Sequence, residues 1–208
     1  KKLGAYGDLG CFSFDPIKII TCIRGGAIVT DNDKITEKIK LLRNLGIKKT
    51  AWERHSKLKE WSYETVSKGF RYQMDDVNAV VGLAQLKKVN QFIERRKFIA
   101  NKYNESFSKL KGEIELFDIN HNNIPPFLYI IKIKQNRDEL IEYLKQRGIQ
   151  SRVHFIPMHL QPVFKNKFLN LPVTEKVWKE LLTLPLYPEM TDLEIDSIIK
   201  AVKAFFKK

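Results

Sequence analysis

Cysteine is scarce in this chain. Among 208 residues there are two, Cys11 and Cys22. That is too few for the disulfide framework of a small secreted domain, and their spacing is not that of a zinc site. Both read as reduced, structural residues. Long apolar runs are also missing: no stretch approaches the roughly 20 residues needed to cross a bilayer, and the charged start, Lys1-Lys2, leads into no secretory apolar segment. The expectation is a soluble, cytoplasmic protein with no membrane partner. Internal repeats and low-complexity tracts are absent, which excludes solenoids and disordered tails. Apolar bulk, by contrast, is plentiful at 43% hydrophobic and 11% aromatic, enough to bury a sizeable core.

The net charge of +13 raises the question of a nucleic-acid partner. The basic residues are scattered: Lys34, Lys38, Lys40, Arg43, Lys87, Lys88, Arg95, Arg96 and Lys97 alternate with acids and apolar residues, as on a solvated helix face. No nucleic-acid-binding motif accompanies them, so none is expected as partner. An anionic small-molecule substrate would use the same positive field.

Residues 9–14 and 26–30 are short runs rich in β-formers, separated by Asp15-Pro16 and closed by Asp31-Asn32, and read as buried strands. A helix follows from Asp33 to Leu45, with Gly46 as its stop. Residues 47–69 lack a clean period and read as a long excursion. From Asp75 or Asp76, an apolar stripe through Val77, Val80, Val81, Ala84, Val89, Phe92, Ile93 and Ile99 predicts one helix to about Leu110. The domain boundary is placed along it, giving domains 1–100 and 101–208. The remainder reads as strand 127–133, helix 137–147 ended by Gly148, strand 151–155, helix 175–182, strand 183–186 and helix 192–206, a small α/β unit.

One segment carries chemistry. In Ser13-Phe14-Asp15-Pro16-Ile17-Lys18 a lysine lies just beyond a strand, past a proline that fixes the turn. An amine held out of water spends more time neutral, and the neutral form has the lone pair that attacks an aldehyde carbon. Ser13, five residues earlier, can offer its hydroxyl to a phosphate. The segment alone does not distinguish this role from that of one more surface lysine. His154 and His159 flank Pro157, but with no acid or cysteine nearby they do not suggest a metal; His154 reads as a packed strand residue.

Ser13-Phe14-Asp15-Pro16-Ile17-Lys18 followed by Gly25-Gly26-Ala27-Ile28-Val29-Thr30-Asp31 closely resembles the active-site lysine region of the DegT/DnrJ/StrS sugar-nucleotide aminotransferases. The likeness continues in order through Leu41 to Gly46, Gly69 to Met74, Asn78 to Leu86, Val153 to Gln161 and Leu182 to Leu186. It implies the fold of the aspartate aminotransferase type: part of a large α/β cofactor domain followed by a small α/β carboxy-terminal domain, in an enzyme that is usually a homodimer. By this resemblance Lys18 forms the Schiff base with pyridoxal 5'-phosphate and shuttles the substrate proton, and Ser13 hydrogen-bonds the cofactor phosphate. Arg71 stands where many relatives carry an asparagine that reaches the neighbouring subunit's phosphate, and Gln73 replaces a residue that is often basic; the resemblance implies that both bind the cofactor, while Arg24 replaces an acid. His159 and Gln161 lie near the substrate at the mouth of the site. The implied reaction moves an amino group, from glutamate as donor, to a nucleotide-linked keto-deoxysugar, for cell-surface polysaccharide such as lipopolysaccharide or a related glycan. The Lys18 segment and the loop from Trp52 to Arg54 look most like members acting on 4-keto sugars. Dehydratases of the family carry histidine in place of the lysine, so Lys18 argues against one.

A complete site of this kind also needs a buried carboxylate for the pyridine nitrogen, a stacking residue and a phosphate cradle at a helix amino end. None can be placed here, and the chain resembles the second half of such an enzyme, a split or truncated product or a piece of a longer polypeptide. The alternative function is a catalytically inactive remnant or interaction module. A parallel sheet interrupted in this way is expected to leave edge strands and apolar faces open.

Overall fold

The order of elements follows from where the chain places its turn formers and caps. The computed structural model describes residues 2–48, 63–164 and 169–207. Most of the expected excursion, including Trp52 and Arg54, lies outside them. The chain forms two compact units, Lys1–Val89 and Asn90–Lys208; the sequence had suggested a boundary after residue 100.

In the first unit, strands β1 (Gly10–Ser13) and β2 (Gly26–Val29) form an antiparallel ribbon with Gly10 opposite Val29 and Ser13 opposite Gly26. The expected strands are present but not buried: Phe12, Ile28 and Val29 are exposed, because nothing among the described residues covers both faces of a two-stranded sheet. Their pairing is antiparallel, in place of the parallel sheet expected.

Helix α1 (Asp33–Arg43) starts on Asn32, whose side chain accepts from the amides of Lys34 and Ile35. This satisfies two of the amides that a helix start leaves without partners. It ends as expected, through Leu45 and Gly46 in left-handed conformation and a Gly46 amide bond to Leu41. Segment 65–74 then runs along this end, with Phe70 donating to Leu42 and Tyr72 to Arg43. Asp75 caps α2 (Asp76–Leu86) by accepting from the Asn78 amide at 2.8 Å. A side chain at Gly82 would strike the sulfur of Cys22, so the helix can approach this buried cysteine only because residue 82 is glycine. Cys22 is structural, as expected. Cys11, on β1, is a free thiol and exposed.

The single long helix of the sequence reading is two. It breaks at Lys87-Lys88, where the Lys88 amide bonds to Gln85, a tighter three-residue spacing that ends α2 before α3 (Val89–Phe107) begins.

The second unit holds the main core. Its sheet has the order β3-β4-β5, all antiparallel, with β3 Ile114–Leu116, β4 Tyr129–Ile133 and β5 Leu181–Leu184. β4 turns Tyr129, Ile131 and Ile133 inward, the period-two pattern of a half-buried strand. Against it lie Ile99, Tyr103 and Phe107 of α3, Leu140 and Leu144 of α4 (Arg137–Lys145), and Ile195, Ile198 and Val202 of α6 (Asp192–Phe205). Full burial of side chains of this size contributes about 1.5–3 kcal/mol each. Helix α5 (Pro172–Glu180) has proline at its first turn, where the missing amide costs nothing.

Strand β3 was not anticipated, because three residues are too short to show a period. The expected strand 151–155 shrinks to one bridge, Arg152 with Thr183. Pro185 has no amide to extend that ladder.

Candidate functional site

Lys18 sits in the loop that joins β1 to β2, and its backbone is set by a turn. In Asp15-Pro16-Ile17-Lys18 the Lys18 amide donates to the Asp15 carbonyl at 3.0 Å, and the Asp15 carboxylate accepts from the Ile17 amide at 3.3 Å. Aspartate at the first position and proline at the second are what such a turn favours. The base of the loop is closed by Phe14 donating to Gly25 and Cys22 donating to Phe14. Thr21 braces it from inside: its hydroxyl donates to the Phe14 carbonyl at 3.1 Å and accepts at 2.8 Å from the amide of Ile23, which is held at a φ of 67°.

Lys18 is half-buried on this frame rather than sealed from water. Ser13 ends β1, exposed, and its hydroxyl oxygen accepts from the Asp15 amide at 3.4 Å, a long bond that leaves the hydroxyl proton available. Ser13 and Lys18 are thus each tied to Asp15, the first through its amide and the second through its carbonyl.

Arg71 and Gln73 lie on the segment that follows the end of α1. Arg71 bridges Asn44 through its backbone and its side chain is exposed. Gln73 donates to the Asn44 side chain at 2.6 Å. A groove of about 1010 Å³ in the first unit runs between β1, β2, α1 and this segment; it is largely apolar, with Arg24, Lys40 and Arg43 on its walls and no carboxylate among the described residues that line it. Gln73 lines it, whereas Ser13, Lys18 and Arg71 do not.

His159 and Gln161 belong to the second unit. His159 is buried in the short turn Met158–Leu160, with Nε2 3.1 Å from Glu175 Oε1. Gln161 follows the turn, half-buried, its amide bonded to Met158. His154 is half-buried and joined through Nδ1 to the Thr183 hydroxyl at 2.9 Å. Burial, and then the nearby positive charge of Arg152, push its pKa down. It lines a groove of about 580 Å³ with Arg147, Arg152, Thr183, Tyr187 and Glu194. No group of three or more potential metal ligands occurs among the described residues.

Sequence reasoning missed Asn44, Glu175 and Arg96. Glu175 is sixteen positions from His159, and no motif spacing joins them. Arg96 looked like one of a surface run, yet it is 5% exposed and donates to the carbonyls of Phe127 and Leu186.

The chain belongs to the DegT/DnrJ/EryC1/StrS aminotransferase family, whose pattern matches residues 1–203. It is 41% identical to the protein MJ1066 of Methanocaldococcus jannaschii, over 98% of this chain and 55% of that one. It is 34% identical to the spore coat polysaccharide biosynthesis protein SpsC of Bacillus subtilis, over 100% of this chain and 56% of that one. Among solved structures it is similar to Helicobacter pylori PseC, an aminotransferase involved in the biosynthesis of pseudoaminic acid, with a TM-score of 0.85 and 27% identity over 100% of this chain and 55% of that one. It is also similar to DesV of S. venezuelae, solved in complex with a ketimine intermediate, with a TM-score of 0.81 and 26% identity over 100% and 54%. The chain thus spans about half the length of the relatives it matches. No helix among the described residues is long and apolar enough to cross a membrane.

Proposed function

We propose that this chain is the lysine-bearing portion of a pyridoxal-phosphate-dependent aminotransferase that acts on a nucleotide-linked keto-deoxysugar, with glutamate as donor, for a cell-surface polysaccharide or related glycan. The observation that carries it is the turn holding Ser13 and Lys18 on one frame. The residues present fit the cofactor in part: an amine to bind its aldehyde and a hydroxyl with a free proton to donate to its phosphate. Arg71, exposed, offers a planar fork suited to a phosphate, which in a homodimer is that of the neighbouring subunit. When bound, pyridoxal phosphate supplies the electron sink that lets the donor's α-proton leave. Lys18 then holds and returns that proton at Nζ, on a turn whose hydrogen bonds limit its excursion. His159 and Gln161 contact the sugar. The domain roles follow the same reading: the remainder of the large cofactor-binding domain in residues 1–100, and a small α/β carboxy-terminal domain in residues 101–208.

The test is to add pyridoxal phosphate to the purified chain, reduce with borohydride and locate the label by peptide mass. Fixation on Lys18, lost in Lys18→Ala, is the expected result. Label spread over surface lysines, or none, overturns cofactor binding by this chain.

One observation favours a second reading, an inactive remnant or interaction module: neither α1 nor α2 buries a single residue. Absence of Lys18 labelling together with a cooperatively folded chain would select it.

A further inference from the structure

The pair His159 and Glu175 joins two pieces of the second unit that sequence leaves apart. His159, 8% exposed, lies in a short turn with no side-chain cap of its own. Glu175 lies in the first turn of α5, where the amino-terminal end of the helix favours a carboxylate charge. The separation of 3.1 Å between Nε2 and Oε1 is that of a hydrogen bond. An ionised carboxylate only accepts, so the hydrogen of this bond is on Nε2; the neutral ring then carries its lone pair on Nδ1.

We propose that Glu175 is a positioning residue that fixes His159 as the Nε2–H tautomer and so presents Nδ1 as an acceptor for a hydroxyl of the sugar substrate. The identity of that substrate rests on the aminotransferase reading; the role of Glu175 rests on the geometry of the pair. A ring without this bond exchanges tautomers and flips, and part of the time offers a donor where the sugar also has one. With the bond, one nitrogen is committed and the other has a single polarity. The carboxylate acts at a distance from the substrate, through the ring, as second partners of metal-bound histidines do.

Two measurements test this. Imidazole ¹⁵N NMR on the chain, at alkaline pH where histidine is neutral, is expected to show the Nε2–H pattern for His159. Glu175→Gln retains it, since the amide oxygen still accepts, and Glu175→Ala gives mixed tautomers while the methyl signals of Ile131 and Ile195 stay in place. An Nδ1–H ring in the unmodified chain, or no change in Glu175→Ala, overturns the proposal. In the amino-transfer assay, Glu175→Ala and His159→Ala are each expected to raise the KM for the nucleotide sugar about tenfold, and the double variant no further. Additive effects overturn it, because a merely structural role for Glu175 would persist without the ring. Absence of turnover in the unmodified protein counts against the aminotransferase reading and with it the sugar contact, whereas the tautomer result decides the role of Glu175 independently.

Discussion

Gln73 donates through Nε2 to Asn44 Oδ1 at 2.6 Å, and Asn44 donates through Nδ2 to the carbonyl of Ile47 at 3.2 Å. The end of α1 and the segment carrying Arg71 are thus joined by side chains as well as by backbone. Asn44→Ala removes both bonds and is expected to cost about 1–2 kcal/mol, seen as a lower urea midpoint for the first unit. Asn44→Asp keeps the acceptor for Gln73 but loses the donor to Ile47, so its loss is smaller.

Two glycines share a φ of 72° but not the same surroundings. A Cβ at Gly46 would collide with the carbonyl of Ser67, whereas at Gly148 it would meet nothing within 4 Å. Gly148→Ala is expected to cost about 1 kcal/mol, the conformational term alone. Gly46→Ala must in addition push segment 65–74 away, and a loss of more than about 2 kcal/mol is expected. Thermal melting of the two variants checks the ranking.

Arg96 supplies donors to two carbonyls in the interior of the second unit, at 3.1 Å to Phe127 and 3.0 Å to Leu186. Burial pushes its pKa down, a sign of how little water reaches it. Removing the guanidinium in Arg96→Ala leaves both carbonyls to find new partners, and a loss of roughly 3 kcal/mol is expected. Arg96→Lys restores the charge but not the fork, and is expected to recover only part of the loss in a denaturant titration.

The start of α6 should titrate. Bonds from the Thr191 amide and then its hydroxyl hold the Glu194 carboxyl below its ordinary value of 4.5. A carboxyl lowered on folding contributes stability that is fully present above the unfolded value and is lost as pH falls through the folded one. Glu194→Gln should therefore melt lower than the unmodified chain above pH 4.5, and the gap should close on acidification below that point. A gap that is constant or widens in acid would assign the contribution of Glu194 to packing.

Much of the second unit was legible in the sequence, because its helices carry their own punctuation: Asp192 after Thr191, Gly148 after Arg147, and a 3.6-residue apolar period through Ile195, Ile198, Ile199 and Val202. The lysine turn was legible for the same reason, as Asp15-Pro16 specifies it locally. What escaped the reading depends on tertiary partners. Val77 to Ile99 keeps one apolar stripe across a break at Lys87-Lys88, since a single tighter turn leaves the apolar period readable on both sides of it. Val153 and Phe155 look like a strand, but a strand exists only where a neighbour offers matching amides. At the site, Ser13 and Lys18 came from a contiguous motif. Glu175 came only from the fold, because a bond across sixteen positions leaves no trace in spacing.

Only Gly10, Cys22, Gly46 and Ile47 are buried among the described residues of the first unit, whereas β4 of the second is flanked on both sides by hydrogen-bonded strands. Amide protons leave a structure through local openings whose cost tracks burial. Placed in deuterated water, Ile131 and Leu182 should hold their protons long after Phe12 and Ile28 have lost theirs, so that one polypeptide would report two lifetimes.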